Sequence, residues 1–161
     1  MLFVFDLDGT LVEIYGEDPL PGVVDRLVDL RQQGHSIALA TNQAGPAWRW
    51  ATGERKYPAP MALGARFMRI ATRIPPLAEA LWFVAVGDDR LSLEGGAYER
   101  LIARFKMGAE DLMLRVSASE SWRKPEPGML RAALQSFDVP PEHALFVGDS
   151  DTDAEAATNA H

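Results

Sequence analysis

Phe3-Val4-Phe5-Asp6-Leu7-Asp8-Gly9-Thr10 begins two residues from the start of the 161-residue chain. Leu2–Phe5 is an uninterrupted apolar run, too short for a helix and rich in strand formers. It predicts a strand buried on both faces, as in a parallel sheet. Two aspartates with one residue between them follow, then a glycine that permits a sharp turn. Carboxylates where a buried strand ends are costly unless a cation or a reaction employs them. Positions i and i+2 of an extended segment point the same way, so Asp6 and Asp8 can address one ligand.

Working outward, Pro19 and Pro21 open a helix. Val23, Val24, Leu27 and Leu30 fall on one face at helical spacing, and Gly34 fits its carboxyl cap. Ser36–Thr41 is a second buried strand, so the chain begins β-α-β with parallel strands and a right-handed crossover. Residues 46–60 have poor periodicity and predict a loop with a short helix at most. Met61–Ile74 is a helix with Leu63, Phe67, Ile70 and Ala71 inward, ended by Pro75-Pro76. Leu81–Val86 is a third apolar strand, Ala97–Phe105 a helix and Asp111–Val116 a further extended segment. Pro127 suits the first turn of another helix with Met129, Leu130, Ala133, Leu134 and Phe137 as its apolar face. Ala144–Gly148 is a last buried strand, and Ala154–Ala160 begins a helix.

Polar clusters follow three of the strands. Thr41-Asn42-Gln43-Ala44-Gly45 closes the second, ordinary turn chemistry if read alone. Trp122-Arg123-Lys124-Pro125-Glu126-Pro127-Gly128-Met129 puts a lysine just ahead of a helix amino terminus, a region that favours anions. Asp149-Ser150-Asp151-Thr152-Asp153 sets three carboxylates within five residues, where they repel strongly without a cation.

These stretches in this order resemble the four motifs of the haloacid dehalogenase (HAD) superfamily of phosphohydrolases. Thr-Asn-Gln-x-Gly and Arg-Lys-Pro-x-x-Gly-Met resemble the branch that contains histidinol-phosphate phosphatase, heptose bisphosphate phosphatase and the polynucleotide kinase 3′-phosphatase domain. The resemblance runs from Asp6 to Asp153 and implies an α/β fold, a three-layer doubly wound parallel sheet, with no large cap domain. It implies an Mg²⁺ ion held by Asp6, Asp8 (through its carbonyl), Asp149 and Asp153. Asp6 would form an aspartyl-phosphate, and Asp8 would act as acid and then base. Thr41 and Lys124 would hold the transferring phosphoryl group, and Asn42 and Arg123 would join them in binding substrate. An open site at strand carboxyl ends is where such sheets place ligands.

The connection from Thr10 to Pro19 is too short for a cap, which favours a large or extended phosphoester, or a cap supplied by a partner subunit. The small-molecule members of the branch carry a cysteine-rich zinc loop before the third motif. Val116–Trp122 contains no Cys or His, so no structural zinc is expected. That departure favours a phosphate end of a polynucleotide or nucleotide as substrate, with Trp48, Trp50 and Tyr57 available to stack on bases. A sugar phosphate or histidinol phosphate is the alternative. A receiver-type phosphoacceptor also uses Asp, Thr and Lys, but an aspartate two residues past the nucleophile speeds hydrolysis. A metal-binding Asp-x-Asp transferase would not need Lys124 or Thr41, and a non-catalytic binding module would not need the full set of expected catalytic residues that is present.

Composition fits one domain spanning 1–161, with 47% apolar and 24% charged residues. Net charge is −7, against general nucleic-acid binding. One region departs from this: Gly45–Ala78 holds Arg49, Arg55, Lys56, Arg66, Arg69 and Arg73 against the single acid Glu54, either a solvated face or an anion-attracting rim. Absence of cysteine excludes disulfides and fits a reducing, cytoplasmic setting. No apolar run approaches a membrane span, and no secretory signal is visible. The resemblance implies a further strand beyond the Ala154–Ala160 helix, whereas the sequence stops at His161. Oligomeric state has no signature in the sequence.

Overall fold

A computed structural model describes residues 1–161. The elements in chain order are β1 (Leu2–Phe5), α1 (Val23–Gln32), β2 (Ser36–Asn42), α2 (Gly45–Thr52), α3 (Pro60–Arg73), β3 (Leu81–Ala85), α4 (Ala97–Gly108), β4 (Met113–Ser117), α5 (Gly128–Phe137), β5 (Ala144–Val147) and α6 (Asp151–Ala160). Every pairing is parallel, in the order β4-β3-β2-β1-β5.

The inner strands β1, β2 and β3 show why apolar runs, rather than alternating patterns, encode this sheet: both faces are covered. The edge strands differ: Met113 of β4 and Leu145 of β5 are exposed, so β5 is only part-covered and not the buried strand that its apolar run predicts. Phe5, Ile37, Leu39, Trp82 and Val84 meet α1, α3 and α4 through Leu27, Leu30, Leu63, Phe67, Ile70, Leu101 and Phe105. Their strand neighbours Leu2, Val4, Ala38, Ala40, Phe83 and Ala85 meet α5 and α6 through Met129, Leu130, Ala133 and Ala156. The result is three layers, α/β/α.

Helices α3 and α4 touch backbone to backbone. A Cβ on Gly64 would stand 2.2 Å from the Phe105 carbonyl oxygen, and one on Gly108 would stand 2.3 Å from that of Met61. A glycine costs roughly 1 kcal/mol of helix propensity, and this close approach is what it permits.

The poorly periodic stretch after β2 forms a real helix of eight residues, α2, with Pro46 in its first turn and Gly53 ending it in the left-handed conformation. Its core contact is small, chiefly the buried Ala47, which is why periodicity did not reveal it. Pro127 stands at the amino-terminal cap of α5 rather than inside its first turn.

The chain steps outward from β1 through β2 and β3 to β4, then crosses back to lay β5 on the other side of β1. The order reverses at β1, so the carboxyl end of that strand is the switch point where open sheets leave a crevice. Asp6 stands there, its backbone N–H donating to the Val147 carbonyl at 2.8 Å.

Candidate active site

Asp6, Thr41 and Asp149 lie at the carboxyl ends of β1, β2 and β5, and Asp153 lies in the first turn of α6. One carboxylate oxygen from each of Asp6, Asp149 and Asp153 falls within a 4.8 Å cluster. Asp6 and Asp153 are buried and Asp149 is exposed. The approach depends on small residues: a Cβ on Gly9 would stand 2.2 Å from Asp149 Oδ2, and Gly9 has φ +83°. Ser150 caps α6 and exchanges hydrogen bonds with Asp153, which aims Asp153 back at the strand ends.

Lys124 is buried, and its ammonium donates to Asp6 Oδ1 at 2.7 Å and to Asp153 Oδ1 at 2.5 Å. The same ammonium stands 5.3 Å from the centre of the Phe146 ring. Burial pushes the Asp6 carboxyl above its ordinary value, with Lys124 working against that. At Asp153 burial also works upward, but the hydrogen bonds from Lys124 and Ser150 outweigh it and hold the group below its ordinary value. A hard oxygen set of this kind fits a divalent cation such as Mg²⁺.

Asn42 lies at the end of β2, but its side chain does not face the cluster as a free donor. Its amide nitrogen donates to the Lys124 carbonyl at 3.1 Å, and its oxygen accepts from the Lys124 N–H at 3.0 Å. The amide is therefore used to fix Lys124. Thr41 is buried and accepts from Gln43 Nε2 at 3.0 Å. Arg123 reaches toward Asp88 at 3.7 Å and lines the adjacent cleft.

Asp8 is held from three sides. Gln43 Nε2 donates to Oδ2 at 2.8 Å, while the Tyr15 N–H, at 2.9 Å, and Arg66 Nη2, at 2.5 Å, donate to Oδ1. Gln43 and Arg66 thus join the candidate site, Gln43 not singled out in the sequence and Arg66 named there only among the six cations of the basic stretch. Gln43 had a signal, since it sits inside Thr-Asn-Gln-x-Gly. The contact of Arg66 with Asp8 had none, because the two lie 58 positions apart.

The basic stretch is mostly neutralised within the molecule. Arg69 and Arg73 pair with Glu17, Lys56 pairs with Glu54, and Arg49 donates to the Tyr57 carbonyl. What remains is a cleft of about 960 Å³ beside the carboxylates, whose walls include Arg55, Arg90, Arg123, Trp48 and Tyr57. Trp48 is committed within that wall: its indole N–H donates to the buried Asp88 at 3.1 Å, Tyr57 stacks on it, and Arg90 lies over its ring.

The HAD-hydrolase-like family matches residues 121–161. The chain is similar to a D-glycero-beta-D-manno-heptose-1,7-bisphosphate 7-phosphatase of Pseudomonas putida, 29% identical over 95% of this chain and 69% of that protein. It is equally similar, at 29%, to a D-glycero-D-manno-heptose-1,7-bisphosphate 7-phosphatase of Thermosynechococcus vestitus, over 88% of this chain and 61% of that one. It thus spans roughly two thirds of the length of these relatives. Among solved structures it resembles D,D-heptose 1,7-bisphosphate phosphatase from B. bronchiseptica, with TM-score 0.67 and 23% identity over 99% of this chain and 75% of that one. In its parallel sheet, in the motifs gathered at one switch point and in these relatives, the chain is similar to the haloacid dehalogenase superfamily of phosphohydrolases.

Proposed function

We propose that residues 1–161 form one divalent-metal-dependent phosphomonoesterase domain that works through an aspartyl-phosphate on Asp6 and acts on a small phosphorylated sugar. The observation that carries this reading is the meeting of Asp6, Asp149 and Asp153 oxygens within 4.8 Å, with the Lys124 ammonium against two of them. Asp6, Asp149 and Asp153 would hold Mg²⁺, with the Asp8 carbonyl completing the set. Bound there, the ion would offset the negative charge that otherwise keeps a carboxylate from a phosphate dianion.

The chain's own residues do the rest. An Asp6 carboxylate oxygen attacks phosphorus as the bond to the leaving oxygen breaks, and that oxygen takes its electron pair and a proton from Asp8. Asp8, now a carboxylate, removes a proton from the water that attacks the aspartyl-phosphate. Inorganic phosphate leaves and Asp6 is restored. Lys124 supplies charge and Thr41 a hydroxyl to the transferring oxygens. Asn42 acts by setting the Lys124 backbone, and Arg123 faces the part of the substrate that lies in the cleft.

On the substrate, the relatives' names favour the sugar phosphate alternative over a polynucleotide end. The wall itself supports this, because Trp48 already has Tyr57 stacked against it and Arg90 over its ring. The test is a release assay for inorganic phosphate with Mg²⁺ across sugar mono- and bisphosphates, mononucleotides and 3′-phosphorylated oligonucleotides. Sugar phosphates should turn over fastest, and Asp6→Asn should abolish turnover of all of them. An oligonucleotide faster than every sugar phosphate overturns the substrate reading. Substantial metal-dependent turnover by Asp6→Asn overturns the covalent step.

A further inference from the structure

We infer that Arg66, on α3 and outside all four motifs, is the positioning residue for Asp8, and this rests on the reading of Asp8 as the acid that protonates the leaving oxygen. Arg66 is the one guanidinium in contact with that carboxylate. Its side chain is 11% exposed and that of Asp8 18%, so the pair is largely withdrawn from water. The same guanidinium donates twice to the Gly16 carbonyl, through Nε at 3.0 Å and Nη2 at 2.8 Å. Gly16 follows Tyr15, whose backbone N–H is the second donor to the same Asp8 oxygen. One planar fork therefore fixes the carboxylate and the loop that also grips it.

Arg66 is itself anchored, since its helix neighbours Leu63 and Phe67 are buried in the core against α4 and β3. A catalytic group held from a rigid element keeps its geometry, and a displacement of about 1 Å can cost roughly 10²-fold in rate. With Gln43 on Oδ2, the carboxyl plane of Asp8 is defined from both oxygens.

This arrangement makes a prediction that a merely structural arginine would not. A poor leaving group needs the proton from Asp8 as its bond to phosphorus breaks, whereas 4-nitrophenolate leaves without one. Values of kcat/KM report events up to that first transfer, so they isolate the acid step. They should be measured for wild type, Arg66→Met, Arg66→Lys and Asp8→Asn. The substrates are 4-nitrophenyl phosphate and the fastest sugar phosphate from the release assay.

Arg66→Met should lose about tenfold more on the sugar phosphate than on the aryl phosphate, a fraction of what acid catalysis supplies. Arg66→Lys, which cannot span Asp8 and Gly16 together, should show the same preference. Equal losses on both substrates, or no loss, overturn the inference when Asp8→Asn does discriminate. If Asp8→Asn lowers both substrates alike, the acid reading fails first and the inference falls with it. Circular dichroism checks that Arg66→Met folds; if it does not, Arg66→Lys carries the same comparison, and a wild-type ratio there is the overturning result.

Discussion

Asn42 shows what a motif can and cannot disclose at the scale of one residue. Its place in Thr-Asn-Gln-x-Gly marks it as belonging to the site, and the resemblance implies contact with substrate. The structure instead gives both ends of its amide to the backbone of Lys124, 82 positions away. No local pattern encodes a partner that distant. Asp6, Thr41, Lys124, Asp149 and Asp153 were legible because strand ends and their polar residues are local features. The contact of Arg66 with Asp8 and the task of Asn42 were not, because they exist only once the helices are docked. If Asn42 acts through Lys124, Asn42→Ala should lower kcat by about 10–100-fold, as loss of a supporting hydrogen bond does, and leave KM nearly unchanged. Steady-state kinetics on the best sugar phosphate decides it. A raised KM with kcat intact would return Asn42 to direct substrate binding.

The elements themselves were largely written in apolar periodicity, and the structure matches them to within a few residues at most ends. The exception is instructive. Helix α2 carries Trp48 and Trp50 with little buried surface, so it is tied to the fold by polar contacts at the end of β3 rather than by an apolar stripe. Asp88, just past β3, has a fully buried side chain that accepts from Trp48 Nε1, from the Arg90 N–H and twice from the Arg90 guanidinium. The Arg90 hydrogen bonds, helped by Trp48 and by the nearby Arg123, hold its carboxyl well below the ordinary value of 3.8. A carboxyl depressed in the folded state contributes stability that is complete above the unfolded value and is lost as pH falls toward the folded one. Asp88→Asn should therefore cost about 2 kcal/mol near neutrality, the scale of a hydrogen bond to a charged group. The gap in melting temperature from wild type should narrow steadily once pH drops below 3.8. Thermal melts from neutral pH downward test it, and a gap that stays constant or widens in acid would mean that Asp88 is not the ionised tie described here.

Across the whole molecule, the sheet order joins segments from opposite ends of the chain. β1 carries Asp6 and lies between β2 and β5, and β5 leads directly into Asp149 and α6. The three carboxylates that converge thus come from the first and the last elements of the fold. Their mutual repulsion is opposed by Lys124 alone among the basic side chains, and Lys124 touches Asp6 and Asp153 but not Asp149. A cation that binds this cluster only when the strands are assembled must stabilise the assembled state by mass action. At a hundredfold excess over its dissociation constant the gain is about 2.7 kcal/mol, and for a chain of this size that is a rise of about 5–10 °C in melting temperature. Adding Mg²⁺ to metal-free protein should produce such a rise, and EDTA should reverse it. Asp149→Asn should melt near the metal-free wild type and respond weakly, because it removes the one carboxylate of the three that Lys124 does not engage. An equal Mg²⁺ response in wild type and Asp149→Asn would place the ion elsewhere. No response in wild type would leave the three carboxylates as a cluster balanced by Lys124, and the metal-dependent reading of the site would fall.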